Sequence, residues 1–254
     1  MKQHIYNWHP SPKLPFRRLF AAAPDATTDT YPEHLSLDVK IPAYDQGQFG
    51  TCACNAIARA FQFALQRQDE PVFMPSRLAL YYLARQKEGT LPRDAGSTFY
   101  DLIEIAKTVG VTDELLWPYT PDVTLNMPPS DAAIAFSRTQ DVLESKNIPS
   151  GNIVALVQCL TEGSPFVAGI PVFDSMETKA VADTGIIPMP TDNDTCLGSH
   201  GVYFDEWNGE LEMFGGYNSW GTGWGRKDIG GKFWIPAEYL RLGASDIQMI
   251  QKVT

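Results

Sequence analysis

The hydrophobic pattern of the chain changes its period partway along, and this change constrains the fold more than any other feature. From Thr51 onward the apolar residues follow the spacing of one buried helix face; they are Ala56, Ile57, Ala60, Phe61, Ala64 and Leu65. After Pro165 the pattern becomes a series of short strand-like runs, at residues 166–172, 201–206, 211–214 and 232–235. A mostly helical half followed by a mostly β half predicts an α+β fold.

Three further helices are predicted from the same periodicity. Two of them cover residues 76–85 and 98–109, and the third covers either 132–138 or 152–161. Thr51 is the predicted N-cap of the first and longest helix, and this placement puts Cys52 in the first helical turn.

The proline-rich stretch at residues 118–129 predicts a domain boundary. We therefore expect an extended N-terminal arm over residues 1–40, a helical domain over residues 41–125 and a β-rich domain over residues 126–254. The arm is rich in proline and is expected to lie on the body of the protein, held by four apolar anchors: Trp8, Phe16, Leu19 and Phe20.

Composition and charge exclude several classes of function. The chain has 254 residues, of which 44% are hydrophobic and 20% charged, as in ordinary globular proteins. Its net charge of −10 argues against nucleic acid or an anionic membrane as the main partner. No stretch approaches the ~18 apolar residues of a membrane span. The start of the chain has no apolar segment typical of a secretory signal peptide, so we expect a cytoplasmic protein or export by a signal-independent route.

Four cysteines, Cys52, Cys54, Cys159 and Cys196, are too few for a disulfide framework. Cys159 and Cys196 could form one disulfide, but free thiols in a reducing compartment are the favoured interpretation. A zinc site built on Cys52, Cys54 and His200 is disfavoured, because cysteines two residues apart on a helix do not face one metal ion. Cys54 is therefore expected to lie in the core.

The residues around Cys52 predict a nucleophile. A cysteine at a helix N-terminus lies at the positive end of the helix dipole, which favours the thiolate. Gln46, one short loop upstream, can direct its amide N–H at a developing oxyanion. His200 is the best candidate for the base, because the other three histidines lie in or near the N-terminal arm. Asn218 can hold the His200 imidazole in one tautomer through its side-chain oxygen.

A predicted hairpin brings His200 and Asn218 together. Asn208-Gly209 is typical of a two-residue type I′ turn. That turn would place His200 opposite Tyr217 and Ser199 opposite Asn218, although a bulge near residues 215–216 would shift the register by one.

Three ordered segments resemble those of papain-like (C1) cysteine peptidases. Residues 45–52 (Asp-Gln-Gly-x-x-Gly-Thr-Cys) resemble the family's cysteine segment, residues 199–202 (Ser-His-Gly-Val) its histidine segment and residues 218–225 its asparagine segment. The resemblance covers about residues 40–242. It implies a two-domain fold, with a helical left domain, a β-barrel-like right domain and the active site in the cleft between them.

The resemblance also assigns roles at individual positions. It implies Cys52, His200 and Asn218 as the catalytic residues and Gln46 in the oxyanion hole. Supporting positions are Ala95 and Gly96 beside the substrate cleft, Trp220 over the His200–Asn218 pair, and Gly201 on the wall of the main specificity pocket. The family often has a larger residue at this last position, so a roomy pocket is expected.

Peptide-bond hydrolysis through a thioester is the function that this resemblance implies, with a peptide or protein substrate and with no cofactor or metal. Within the family, the Cys-x-x-Asn-Ala sequence at residues 52–56, the Tyr-x-Trp-x-Pro arm at residues 6–10 and residues 235–240 resemble a bacterial or viral branch without a long propeptide. The residues before Ile41 are too few for a full inhibitory propeptide, so a permanent N-terminal strap is expected instead. The chain departs from the family at Phe49 and Ala53, where cysteine and tryptophan are usual. Two alternatives remain, namely a catalytically silent relative that binds a peptide or partner, and a triad used for acyl transfer or deamidation. The sequence predicts no oligomeric state.

Overall fold

The helical half of the chain is built around a helix that begins at Cys52. The structure, a computed structural model, describes residues 4–12, 18–23, 26–27, 31–37 and 41–254. Its helices are α1 (Cys52–Arg67), α2 (Arg77–Glu88), α3 (Phe99–Thr108), α4 (Pro121–Thr124), α5 (Asp131–Ser137), α6 (Ile153–Thr161), α7 (Lys179–Thr184) and α8 (Ala237–Gly243). The helix predictions at residues 76–85 and 98–109 are confirmed, and both of the alternatives offered for the third helix form.

The β-rich half forms an antiparallel sheet of seven strands within the described residues. These are β1 (His34–Ser36), β2 (Val142–Ile148), β3 (Phe166–Phe173), β4 (Cys196–Asn208), β5 (Met213–Tyr217), β6 (Lys232–Pro236) and β7 (Ser245–Val253). The strand order is β2-β7-β3-β4-β5-β6, and β1 pairs with β4 outside that path. Helices together with this sheet give the predicted α+β class.

Two large apolar clusters lie on opposite sides of the sheet, and the first of them joins the two halves. One contains the buried face of α1 and α3 with residues from the near side of the sheet, such as Val167 and Tyr203. The other lies around α6, α8 and the opposite side of the sheet, with Phe166 and Phe204 stacked at 4.8 Å between ring centroids. Because α1 packs directly on β4 and β7, the start of α1 is fixed relative to the strand that carries His200.

Helix starts are set by their capping residues. Ser76 and Thr98 each accept a hydrogen bond from the backbone N–H three residues on, which fixes the starts of α2 and α3. Thr51 occupies the predicted N-cap position of α1, but its hydroxyl makes no capping bond. It lies 2.6 Å from the Tyr119 hydroxyl and accepts a bond from Asn55 Nδ2 instead. The first backbone N–H groups of α1 are therefore left for other partners.

The predicted register of the β4–β5 hairpin is wrong. Trp207 pairs with Phe214 and Asn208 with Met213, so the connecting loop covers residues 209–212 rather than Asn208-Gly209. Gly209 N–H donates to the carbonyl of Glu33 at 2.6 Å, which keeps this residue tied to β1 instead of the turn. A register shift does occur opposite residues 215–216, because Phe204 pairs with Gly216 and Glu206 with Gly215, which leaves the extra residue on β4. The predicted strand at 211–214 correspondingly begins at Met213.

The arm anchors are partly as predicted. Trp8 and Phe20 are buried, but Leu19 is 65% exposed, and Phe16 lies outside the described residues. Backbone pairing with Asn147 explains the difference, because consecutive side chains of an extended segment point to opposite sides. With Phe20 directed into the core, Leu19 faces solvent. No helix in the described part of the chain has the length and apolar character needed to span a bilayer.

Candidate active site

Cys52 lies fully buried at the first position of α1. Its sulfur accepts a hydrogen bond from the Gly201 N–H at 3.5 Å, and the N–H groups of Ala53 and Cys52 itself also favour the thiolate. Burial nevertheless outweighs these donors and raises the pKa of the Cys52 thiol to about 11. Cys52 is therefore a neutral thiol, although the N–H groups that would stabilise its thiolate are already in place.

His200 lies on β4 and is oriented by Asn218. The Nε2 atom of His200 is 2.8 Å from the Asn218 Oδ1, so an Nε2–H donates to this amide oxygen. Asn218 reaches this position after leaving β5, where its backbone N–H donates to the Gly231 carbonyl at 2.9 Å. The proximity that was expected from hairpin pairing is thus real, but it comes from the chain beyond the strand.

The other ring nitrogen of His200, Nδ1, is buried and makes no hydrogen bond to any described residue. The structure brings Cys52 against Gly201, the neighbour of His200, without a hydrogen bond between the thiol and the imidazole. Burial lowers the pKa of His200 to about 4, against the hydrogen bond with Asn218, which acts to raise it. The base is therefore neutral, as the thiol is.

Gln46 is fully buried and is held at three atoms. Its backbone N–H donates to the Ser219 carbonyl at 2.8 Å, its Oε1 accepts from the Ser219 hydroxyl at 2.5 Å, and its Nε2 donates to the Phe49 carbonyl at 2.9 Å. One Nε2 hydrogen remains for another acceptor. These bonds tie the loop before Cys52 to the residue that follows Asn218.

Trp220 covers the His200–Asn218 pair. Its ring centroid is 5.2 Å from that of His200, and Trp224 packs edge-on against Trp220 with 4.9 Å between ring centroids. Only 8% of Trp220 is exposed. A hydrogen bond shielded from water in this way is stronger than an exposed one.

The N-terminal residues 4–12, here termed the arm segment, run directly across these groups. His4 stacks on Trp220 with 3.9 Å between ring centroids, and the Tyr6 ring meets His200 edge-on at 5.8 Å. Both His4 and Tyr6 hydrogen-bond to Glu177, the last residue of a 3₁₀ turn after β3. The arm segment therefore shields Cys52 and His200 from solvent.

Asn7 lies between Ser199 on one side of the site and Asp94 on the other. It forms a parallel bridge with Ser199, and its Nδ2 donates to the Asp94 carbonyl at 2.7 Å. Gly96 has φ of +77°, and a Cβ there would lie 1.7 Å from the Asn7 carbonyl oxygen. Only glycine fits at position 96, because the backbone there is left-handed and another chain segment approaches it closely.

The other predicted positions lie beside the arm or in the core. Ala95 precedes Gly96 in the segment that faces the arm, and Gly201 lies between Phe99 and Ala53. Cys54 is buried in the core, with its sulfur 3.7 Å from the Ser97 hydroxyl. All four cysteines are free, with Cys196 exposed and Cys159 buried.

One group of possible metal ligands occurs within the described residues, away from the predicted catalytic residues. Glu33, His34 and Glu210 come within 4.8 Å of one another, and all three are exposed. Exposed acidic groups of this kind are common without an ion, so this group carries no functional assignment.

Sequence reasoning missed three polar residues that organise the site: Ser219, Asp94 and Glu177. Asp94 accepts from the Gly50 N–H at 3.0 Å and from the Tyr81 hydroxyl, and so supports the loop before Cys52. Ser219 stands beside Asn218 and could have been suspected from that position alone. Asp94 and Glu177 carry no local signal, since their roles come from contacts with distant parts of the chain.

In sequence and in fold, the chain is similar to known cysteine peptidases. Models of protein families give no match. An uncharacterised peptidase C1-like protein of Acanthamoeba polyphaga mimivirus is 33% identical over 231 residues, which cover 87% of this chain and 73% of the viral protein. The crystal structure of xylellain, a cysteine protease from Xylella fastidiosa, superimposes with a TM-score of 0.90 and 31% identity, covering 98% of this chain and 96% of xylellain.

A more distant structure shows the same fold. The digestive procathepsin L 3 of Tenebrio molitor matches with a TM-score of 0.69 at 18% identity, over 90% of this chain and 72% of that protein. Likeness at this level concerns the fold, whereas the viral relative is similar enough in sequence to decide the family. Because of its sequence similarity to that viral protein, the chain belongs to the papain-like (C1) family of cysteine peptidases.

Proposed function

We propose that Cys52, His200 and Asn218 hydrolyse peptide bonds through a thioester, with Gln46 in the oxyanion hole. The observation that carries this assignment is the 2.8 Å contact between His200 Nε2 and Asn218 Oδ1. This bond fixes the imidazole and leaves Nδ1 as the nitrogen available for proton transfer. Membership of the C1 family supports peptidase chemistry, and the geometry supports these residues as its agents.

In the first half of the reaction, the Cys52 proton passes to His200 and the thiolate attacks the carbonyl carbon of the substrate. A C–S bond forms, and the carbonyl electron pair moves to the oxygen. The free Nε2 hydrogen of Gln46 and the Cys52 N–H are the donors that would stabilise this oxyanion. Collapse breaks the C–N bond, and His200 gives its proton to the departing amine.

In the second half, a water molecule gives a proton to His200 and its oxygen attacks the thioester carbon. The C–S bond breaks when this intermediate collapses, which releases the acid and restores the thiol–imidazole pair. Trp220 keeps other water away from the His200–Asn218 bond during these steps. The reaction balances with water as its only co-reactant.

The arm segment makes this enzyme latent in the arrangement described. A buried neutral thiol with a pKa of about 11 is a poor nucleophile, and the arm segment occupies the space in which a substrate must lie. Displacing the arm would hydrate the site, lower the pKa of the thiol and raise that of the imidazole. The thiolate–imidazolium pair would then form from groups that are already positioned.

A fluorogenic peptide assay with two cysteine variants tests the proposal. Cys52→Ala is expected to abolish turnover, while Cys54→Ala, a matched change two residues along the same helix, is expected to retain it. Mass spectrometry of the products distinguishes hydrolysis from the alternatives. Cleavage supports a peptidase, whereas a one-dalton gain or a cross-link on an intact target would identify deamidation or acyl transfer.

A further inference from the structure

A chain of hydrogen bonds leads from Arg77 of α2 to the backbone of Gln46. The Nη1 atom of Arg77 donates to Asn55 Oδ1 at 2.9 Å, and Asn55 Nδ2 donates to Thr51 Oγ1 at 3.1 Å. The hydroxyl oxygens of Thr51 and Tyr119 are 2.6 Å apart, and the Tyr119 hydroxyl donates to the Gln46 carbonyl at 2.9 Å. We term this series the Arg77–Tyr119 chain; it connects two helices to the loop that carries the proposed oxyanion donor.

The two ends of the Arg77–Tyr119 chain set the direction of every bond between them. A guanidinium group only donates, so Asn55 turns its oxygen to Arg77 and its amide hydrogens to Thr51. A carbonyl only accepts, so the single proton of the Tyr119 hydroxyl goes to Gln46. The Thr51 hydroxyl must therefore donate to Tyr119. All the bonds run in one direction and polarise one another, which strengthens each of them.

An ion pair anchors the start of this chain. The Nε and Nη2 atoms of Arg77 donate to the two carboxylate oxygens of Glu114 at 2.9 and 2.7 Å. The Cζ atom of Arg77 also lies 3.9 Å from the ring centroid of Tyr119. Because a bidentate ion pair holds the guanidinium in one orientation, Arg77 fixes both the donor to Asn55 and the position of the Tyr119 ring.

Burial protects the middle of the chain from water. Thr51 is fully buried and Asn55 is almost so. Burial also raises the pKa of the Tyr119 phenol, so its hydroxyl keeps the proton that it donates to Gln46. The Thr51 hydroxyl makes no capping bond in α1, and its proton goes to Tyr119.

Gln46 is held by both halves of the molecule. Ser219, from the β-rich half, binds its Oε1 and its backbone N–H, whereas Tyr119, from the helical half, binds its carbonyl. Without the Tyr119 hydroxyl, the buried Gln46 carbonyl would lose this partner and the loop would lose one of these two attachments. The free Nε2 hydrogen of Gln46 would then no longer be fixed in position.

We propose that Tyr119 is a positioning residue for the oxyanion hole, which fixes Gln46 so that its free Nε2 hydrogen meets the oxyanion. The bonds from Arg77 direct the Tyr119 hydroxyl to its acceptor. Tyr119 acts through Gln46 and not on the substrate. This inference rests on the proposed function, because it takes Gln46 as the oxyanion donor.

The kinetic test uses the full-length chain carrying Trp8→Ala, which removes a buried anchor of the arm segment and opens the site. In this background Tyr119→Phe is expected to lower kcat by about tenfold or more and to change KM by less than about twofold, because the interaction lost is made only in the transition state. Tyr82→Phe, the same change at a half-buried tyrosine of α2, should leave both constants unchanged.

A double-variant cycle decides whether Tyr119 acts through Gln46. Gln46→Glu removes the Nε2 donor, so adding Tyr119→Phe to it should lower kcat by less than about twofold further. An undiminished loss in the Gln46→Glu background would overturn the proposal, because Tyr119 would then act by another route.

Thr51 provides a second pair of variants, which do not depend on the folding of Tyr119→Phe. Thr51→Val removes the hydroxyl that donates to Tyr119, and no capping bond is lost with it. We expect kcat to fall by about threefold or more in Thr51→Val and to stay within about twofold in Thr51→Ser, which keeps the hydroxyl. Equal values of kcat in the two variants would contradict the role of the Arg77–Tyr119 chain.

Two reagents distinguish a displaced oxyanion donor from a damaged nucleophile. Acetyl-Phe-glycinal takes the Cys52 S–H across its aldehyde C=O and forms a hemithioacetal whose oxygen occupies the oxyanion hole, so its affinity should fall with kcat in Tyr119→Phe. Iodoacetamide forms a C–S bond and releases iodide without an oxyanion, so its rate with Cys52 should stay unchanged. A loss of alkylation as large as the loss of kcat would mean that Tyr119 supports Cys52 rather than Gln46.

The outcomes separate this proposal from the proposed function. An unchanged kcat and aldehyde affinity in Tyr119→Phe, beside the expected loss in Gln46→Glu, would overturn the positioning role and leave the peptidase mechanism standing. An absence of cleavage in every variant would contradict the proposed hydrolysis. The aldehyde affinity would then still decide the role of Tyr119, because this measurement requires no turnover.

Discussion

At the scale of single residues, Gln46 does two things that one experiment can separate. Its Oε1 and backbone N–H bind Ser219 and one Nε2 hydrogen binds the Phe49 carbonyl, which are structural roles, and the second Nε2 hydrogen is the donor proposed for the oxyanion. Both roles depend on full burial, because water would otherwise compete for each hydrogen bond.

Gln46→Glu keeps the size and the acceptor atom of this side chain and removes the Nε2 donor. We expect kcat to fall by about 10²–10³-fold with little change in KM, the usual effect of losing one oxyanion donor. Steady-state kinetics on an arm-displaced enzyme such as Trp8→Ala would measure it.

Ser219→Ala is the matched control, because it breaks the Oε1 bond and leaves the Nε2 donor. A loss in Ser219→Ala as large as that in Gln46→Glu would mean that Gln46 acts by holding the loop, and the oxyanion assignment would fail.

The sequence was sufficient to predict roles for Cys52, His200, Asn218 and Gln46, because their motifs are local and ordered along the chain, and these roles stay a prediction. It was not sufficient to find Glu177, which acts on His4 and Tyr6 from 173 and 171 residues away. A carboxylate in a short turn has no local pattern, and only the folded chain gives it partners.

At the scale of elements, Arg59 links α1 to the end of β5, just before Asn218, and to the segment that leads to Gln46. It is only 2% exposed and forms no ion pair within the described residues. Its guanidinium lies 3.4 Å from the ring centroid of Tyr217, the residue before Asn218. Its two terminal nitrogens donate to the carbonyls of Ile41 and Pro42 at 2.5 and 2.8 Å, in the segment that leads to Gln46.

Arg59→Met removes both hydrogen bonds and leaves two carbonyls unsatisfied. We expect the free energy of unfolding to fall by about 2–4 kcal/mol, from the desolvated carbonyls and the lost cation–π contact. Urea unfolding would measure it, with Arg138→Met at an exposed site as the control. Equal effects of the two variants would show that Arg59 does not join these elements.

Element predictions succeeded where a pattern is long and local, as in α1, α2 and α3. The β4–β5 register failed because the strong local signal of Asn208-Gly209 lost to tertiary pairing with β1. β2 and β7 were not predicted, since each is stabilised by a partner about a hundred residues distant. The helices α4, α7 and α8 span seven residues or fewer and carry little periodicity.

At the scale of the whole molecule, the arm segment decides whether the site is open. It is held at Glu177 through His4 and Tyr6, and at Asp246 through Ser11. Burial acts to raise the pKa of Glu177, but the hydrogen bonds from His4 and Tyr6 outweigh it and hold that pKa below its ordinary value. The closed arm therefore stabilises the charged, carboxylate form of Glu177.

Glu177→Gln removes this charge while preserving the shape of the side chain. We expect hydrogen exchange of backbone amides in the arm segment to accelerate at least tenfold, or roughly 1.4 kcal/mol of lost protection. Mass-spectrometric exchange at neutral pH would measure it. Asp183→Asn, which removes an exposed carboxylate of α7, should leave exchange unchanged, and equal acceleration in both variants would rule out a specific tether at Glu177.

An arm lying on the body was predictable from composition, and Trp8 as an anchor from its apolar character. Its path over the nucleophile was not predictable, because that path depends on Gly96, Gly169 and Ser199 meeting around it in the folded chain. The domain division at residues 118–129 stays a prediction.

The central claim is that Cys52 and His200 form a complete catalytic pair kept neutral by the arm. The pH dependence of Cys52 alkylation by iodoacetamide tests it directly, followed by peptide mass spectrometry between about pH 6 and 10. In the unaltered chain the raised pKa of the thiol, about 11, keeps it protonated, so the rate should be low and should rise throughout this range.

In Trp8→Ala the thiolate–imidazolium pair should already form near the lower end of that range, making alkylation there on the order of 10²-fold faster and nearly independent of pH. The exposed Cys196 provides an internal control for the reagent and should react alike in both proteins. A slow rate that still rises with pH throughout in Trp8→Ala would contradict the account, because the pair would then be absent even with the arm displaced.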